Sequence, residues 1–238
     1  MDDAQSPIHD KRIRQALNYG FDREKLIKYL RNGIGTPAVN GFIPSGLPGF
    51  NGQKGYDYQP EMARELINSY LREKNLKVLP PILLSTNASY VDIAEYLQRE
   101  WQKAGILVSV DVNPPSTLRQ SISTGKVNFF RASWIADYPD AENYLSLFYS
   151  KNFSPNGPNY THFKNQQFDA LYEKALQSVN ENERMLLYQQ MDAIIIQEAP
   201  IVPLFYDKVV RFTRKNVQGL GINPQNSLQL KTVNKLKD

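Results

Sequence analysis

Residues 82–112 constrain the fold more tightly than any other stretch of this 238-residue chain. Residues 82–85 are a short apolar run of strand length. Over 90–104, Ile93, Ala94, Leu97, Trp101 and Ala104 fall on one side of a helix that Gly105 closes, and 106–112 then alternates as ILVSVDV. A strand, a helix of crossover length and a second strand predict a parallel βαβ pair, because parallel neighbours need a connection that returns to the same end of the sheet. The fold class is therefore mixed α/β.

The flanking segments extend this pattern. Over 10–20, Ile13, Ala16 and Leu17 recur at helical spacing, with Asp10 as N-cap and Gly20 as stop. Asp22 opens a second short helix with Leu26, Ile27 and Leu30 as its apolar stripe, and 33–55, rich in Gly and Pro, reads as a long irregular loop. A third helix over 58–75 has Pro60 in its first turn and Glu61 near its positive end. A helix over 117–123 leads to a strand over 127–134, expected in the same sheet. Beyond it come one or two helical turns over 143–150, a loop over 154–162, and helices over 166–178 and 181–198. The last of these carries Met185, Leu186, Met191, Ile194 and Ile195. Pro200 ends it, and 201–206 and 209–213 read as strands. Apolar density falls from Lys215 onward. Residues 1–6 (MDDAQS) read as an arbitrary start just ahead of a well-formed helix, as in a fragment of a longer protein.

Composition excludes several function classes. The 28 Lys and Arg exceed the 24 Asp and Glu by a formal charge of +4, but the signs are interleaved, and no nucleic-acid partner is expected without a concentrated basic face. The run Lys208, Arg211, Arg214 and Lys215 reads as a solvated face, and Tyr56, Tyr58 and Tyr70 read as packing. With no cysteine, and with His9 and His162 far apart, neither a zinc site nor a Cys-His nucleophile can be assembled. An all-carboxylate metal site stays open, and no cofactor is expected. There is no apolar run of about 18 residues and no signal-peptide pattern.

The candidate site is 129–140, FFRASWIADYPD, where an apolar run ends in Trp134, Asp137 and Asp140. Open α/β sheets place ligands beyond the carboxyl ends of their strands, and this end presents an aromatic wall with fixed negative charge. A small cation or an amine suits it. Each residue has a structural alternative. Asp137 or Asp140 caps the turn near Glu142, Trp134 is a core residue at a strand end, and Arg131 is a solvated or salt-bridged strand residue. Asp137 and Asp140 are also the only pairing that suggests a two-carboxylate hydrolase. Against that reading, they lie on one loop with no second constellation elsewhere.

The segments KRIRQALNYGFDREKL, YDYQPEMARELI, YVDIAEYLQREWQKAGILVSV, WIADYPDAENYL and ERMLLYQQMDAIIIQEAPIVPLFY resemble, in order and spacing, the extracytoplasmic solute-binding proteins of the dipeptide and oligopeptide family. These are capture subunits of ABC importers. The resemblance implies a periplasmic-binding-protein type II lobe, with a mixed, mostly parallel sheet flanked by helices. It implies a non-enzymatic ligand-binding lobe over 1–206, and over 207–238 a return segment toward an amino-terminal lobe that precedes it in family members.

In peptide-binding members the aspartate of the W-x-x-D-Y motif meets the peptide α-ammonium group, and that position here is Asp137. Trp134 matches an aromatic that lines the cleft, Tyr138 completes the motif, and Arg131 resembles a basic position that meets the ligand's terminal carboxylate in some members. The implied partners are a short peptide, or another small solute such as a nickel complex, haem or sugar, and an ABC permease. The inter-lobe face, exposed in a separated lobe, is a place for self-association. The implied location is periplasmic, or extracytoplasmic with a membrane anchor that includes a lipid.

Overall fold

A computed structural model describes residues 6–223 and 227–237. The opening residues 1–5, read above as an arbitrary start, lie outside them. In chain order the principal elements are α1 (Lys11–Tyr19), α2 (Arg23–Leu30), β1 (Thr36–Pro37), α3 (Pro60–Lys74), β2 (Ile82–Thr86), α4 (Val91–Lys103), β3 (Val108–Val112) and α5 (Pro115–Ser123). They continue with α6 (Glu142–Leu145), α7 (Gln166–Gln177), α8 (Glu181–Glu198), β4 (Phe205–Tyr206), β5 (Val217–Gln218) and β6 (Asn234–Lys235).

The predicted βαβ unit is present. β2 and β3 pair in parallel from Ile82 opposite Val108 to Thr86 opposite Val112. Trp101 of α4 packs beneath them, fully buried, and donates Nε1–H to Leu17 O at 2.8 Å, so the indole pays no unsatisfied polar group for its burial. Its ring meets Phe21 edge-on and Phe129 at a tilt, which ties α1, the sheet and the start of the candidate site into one core. Asp10 and Asp22 are N-caps as expected, accepting from Arg12 N and Lys25 N. The remaining helices start and stop within a few residues of the sequence reading.

A second core is built from α6, α7, α8 and the loop that follows β1, with Phe148, Phe168 and Met191 at its centre. Residues 198–203 join the two cores and are held by polar side chains of the first. Arg14 donates to Glu198 O and Ala199 O, covering carbonyls that α8 leaves free at its end. Asn18 Nδ2 donates to Ile201 O, and Arg23 Nε donates to Pro203 O.

Those contacts explain one correction. The strand expected over 201–206 is paired only at Phe205–Tyr206, opposite β1. Pro200 and Pro203 lack an N–H, and side chains have taken the carbonyls of Ile201 and Pro203 that a ladder would use. The strand expected over 209–213 is absent, since those residues have no strand partner and are mostly exposed. The strand over 127–134 shrinks to a single parallel bridge, Ser85 opposite Phe130. Ser85 N donates to Phe129 O and Arg131 N to Ser85 O, both at 2.9 Å, before the chain peels away toward α6. On α8 the buried stripe is Leu187, Tyr188, Met191, Ile194 and Ile195, while Leu186 is exposed. The run MLLY offers several registers, and the one that forms buries Leu187 and Tyr188.

Candidate functional site

The segment 127–141 leaves the edge of β2 in the first core and enters the second core at Ala141, which is fully buried. The side chains between those anchors belong to neither core. Arg131, Trp134, Tyr138 and Asp140 are held by polar contacts.

Arg131 lies on the sheet edge with its Cζ 3.2 Å from the centre of the Tyr90 ring, a cation–π stack, and Nη1 reaches Ser133 Oγ at 3.5 Å. Burial lowers its pKa, opposed first by Tyr90. The solvated or salt-bridged reading is therefore replaced by a stacked, half-buried guanidinium.

Trp134 is half-buried and outside both cores. Its Nε1–H donates to Asn143 Oδ1 at 2.7 Å, so the first turn of α6 fixes the indole. Asp140 does cap that turn, Oδ1 accepting from Glu142 N at 2.9 Å, and its Oδ2 faces Arg184 at 3.6 Å. Asp137 does not. It is exposed, and among the described residues no hydrogen bond or ion pair engages its carboxylate. Tyr138 donates its hydroxyl to Glu142 Oε2, while Tyr172 donates to Glu142 Oε1. Burial and then the Glu142 carboxylate raise the pKa of both phenols.

The geometry thus separates the two aspartates. Asp140 is consumed by a helix cap and an arginine, and Asp137 is available. That arrangement presents one free carboxylate beside an aromatic wall, which suits an ammonium ligand and leaves no working pair for two-acid hydrolysis. Among the described residues no group of three His, Cys, Asp or Glu is placed to hold a metal ion, and no helix is long and apolar enough to cross a membrane.

Sequence reasoning missed Tyr90, Glu142, Asn143 and Tyr172. Glu142 and Asn143 follow the motif directly, which was the available signal. Nothing in spacing reveals that a phenol 30 residues on would share Glu142.

Comparisons place these features among known proteins. The dipeptide-binding protein of Escherichia coli (strain K12) is 27% identical over 222 residues, covering 92% of this chain and 41% of the relative. Heme-binding protein A of Haemophilus influenzae is 28% identical over 204 residues, covering 84% of this chain and 37% of the relative. The chain therefore spans less than half the length of these relatives. The solved structure of the ABC transporter-associated periplasmic binding protein DppA from Helicobacter pylori, in complex with peptide STSA, superposes with a TM-score of 0.83 at 25% identity, covering 98% of this chain and 46% of that one. The architecture is that of the type II periplasmic binding proteins. Residues 1–156 match the profile described as bacterial extracellular solute-binding proteins, family 5 middle region, and the chain belongs to that family of ABC-importer binding proteins.

Proposed function

We propose that residues 1–206 are the carboxy-terminal ligand-binding lobe of a solute-binding protein that captures short peptides by their α-ammonium group and delivers them to a membrane permease. Asp137 anchors the ammonium, Trp134 and Tyr138 wall the cleft, and Arg131 serves the far end of the ligand. The observation that carries this reading is the unengaged Asp137 carboxylate, set between a tethered indole and a tethered phenol while its neighbour Asp140 is fully used. A carboxylate so placed is a strong directional acceptor for an ammonium group.

Residues 207–238 serve as the return segment to a second lobe. Phe212 and Ile222 in this stretch are each 93% exposed, which supports a further surface that covers them and also supports self-association when none is present. The proposed location is the periplasm, or the outer face of a membrane with a lipid or other anchor. Closure of two lobes over the ligand supplies contacts that one lobe lacks, so this chain alone binds peptides at about millimolar affinity or more weakly.

The test is an NMR titration of the labelled chain with pooled di- and tripeptides, repeated with amino-blocked peptides and with Asp137→Ala. Saturable shifts at Trp134 and Tyr138 that vanish under both controls are expected. Shifts indifferent to both would transfer the site to a non-peptide solute such as a nickel complex, haem or sugar, and submicromolar affinity would refute the half-site argument.

A further inference from the structure

At the amino ends of β2 and β3, the pole opposite the candidate site, two hollows of about 500 Å³ and about 490 Å³ share Asn68 and Leu71 and so form one continuous groove. It exists because α3 and α4 both stop here. Asn75 after α3 and Gly105 after α4 each take a positive φ and turn the chain toward the next strand. Ile67, Leu79 and Ala104, all buried, form the floor with Leu71. Val78 and Leu107 flank it, 71% and 52% exposed, and Leu76 extends the apolar surface into the adjoining hollow.

The charge around this floor is of one sign. Arg64, Lys77 and Lys103 line one hollow and Arg72 the other, and no carboxylate lines either. Glu61 and Glu100 pair with Arg64 and Lys103 from outside the groove. The side chains of Arg72 and Lys77 have no hydrogen bond or ion pair among the described residues. The helix ends do not consume these two cations, because other donors already cover the terminal carbonyls. Leu71 O and Arg72 O accept from Leu76 N and Asn75 N, Gln102 O from Gly105 N, and Lys103 O from Arg64 Nη2.

An exposed apolar strip rimmed by polar groups marks an interaction surface, and the one-signed rim calls for an occupant that carries negative charge beside its apolar part. The uncharged polar side chains on the lining are Asn68, Asn75 and Gln102, too few to partner the amide groups of an extended peptide. An alkyl chain needs no such partners. We propose that the groove is a binding site for a free amphiphilic anion, with an acyl chain on Ile67, Leu71, Leu79 and Ala104 and its carboxylate at Arg72 and Lys77. The inference is independent of the peptide-lobe reading, since it uses none of residues 129–140.

The test is an NMR titration of the labelled chain with decanoate, kept below the concentration at which it forms micelles. Decyltrimethylammonium, with a similar tail and the opposite charge, is the control. Saturable shifts at Leu71, Val78 and Leu107 are expected with decanoate, and affinity for the cation should be at least about tenfold weaker. Arg72→Gln combined with Lys77→Gln, both at exposed positions, should weaken decanoate binding by about three- to tenfold. Val78→Asp, also exposed, should abolish the shifts, and an unchanged spectrum elsewhere reports that each variant folds. Equal shifts with both amphiphiles, or shifts that survive all of these substitutions, would reduce the groove to a non-specific apolar surface and overturn the proposal. Shifts at Trp134 and Tyr138 in step with those in the groove would overturn it too, by placing the acid at the opposite pole. No saturable decanoate shift is the third refutation, and sedimentation with phosphatidylglycerol vesicles in that case would assign the face to a membrane surface instead.

Discussion

Asp192 offers the sharpest test of the packing. It lies on α8 in the second core, 3% exposed, with Oδ1 accepting from Phe42 N at 2.8 Å. The loop comes so close that a Cβ on Gly41 would lie 2.2 Å from Asp192 Oδ2. Burial pushes this carboxyl up to about 6 from an ordinary 3.8, and the Phe42 and Ile43 backbone N–H groups only partly oppose it. Tyr206, whose hydroxyl donates to Gly41 O at 2.7 Å, is the other titratable group whose charge is coupled to it. With the folded pKa raised, the folded chain holds this proton where the unfolded chain has lost it. The associated stability is fully present below 3.8 and is lost as pH rises through about 6. At about 1.36 kcal/mol per unit, the full loss is about 3 kcal/mol.

Asp192→Asn removes the titration and keeps an acceptor for Phe42 N–H. Any fixed packing change cancels when one variant is compared with the parent across pH. Urea unfolding followed by tryptophan fluorescence should show the variant's stability relative to the parent rising by about 1.5 kcal/mol between pH 5 and pH 8. A difference that is constant over this range, or that shrinks as pH rises, would refute the assignment of Asp192 as a carboxylate ionised against its burial.

Two further stability predictions follow from the junction of the cores. Arg23 is 3% exposed and donates to Pro203 O, Asn18 O and Asn18 Oδ1; Arg23→Lys cannot reproduce this fork and should cost about 2–4 kcal/mol in urea unfolding. A loss under about 0.5 kcal/mol would mean the fork is dispensable. Gly41→Ala combines a φ of +90° with the clash against Asp192 and should cost at least about 2 kcal/mol. Pairing it with Asp192→Ala should recover part of that loss, a coupling readable in a double-mutant cycle.

The parts of the fold legible in the sequence are those whose signal is local. The helix caps at Asp10 and Asp22, the Pro60 start of α3 and the apolar stripe of α4 each lie within a turn or two of the element they define, and all are where the pattern put them. The segment 209–213 has the composition of a strand and no partner strand, and over 201–206 only Phe205–Tyr206 pairs, because the backbone partners of the residues before it are decided elsewhere. Asn18 and Arg23 lie about 180 residues away in the chain and take the carbonyls first. The site divides in the same way. Asp140 as a cap was legible, since its partner is two residues on. The Arg131 stack on Tyr90 and the shared Glu142 join distant segments, and no periodicity encodes them.

The same distinction bears on how site and stability are divided in this chain. Trp134, Asp137 and Tyr138 sit on a connection anchored at Phe130 on one side and Ala141 on the other, outside both apolar cores. Trp134 and Tyr138 are fixed by hydrogen bonds to α6, whose own place is set by Leu145 and Ala141 in the second core, and Asp137 is carried between them. Changing Asp137 therefore removes charge without opening a cavity or orphaning a partner, and its effect on unfolding should stay within about 0.5 kcal/mol. Asn143 is different. It is 4% exposed and is the acceptor for the Trp134 indole, so its loss disturbs the wall of the site through the helix that carries it. The residues proposed to touch a ligand can therefore vary at little cost in stability, and those that aim them cannot.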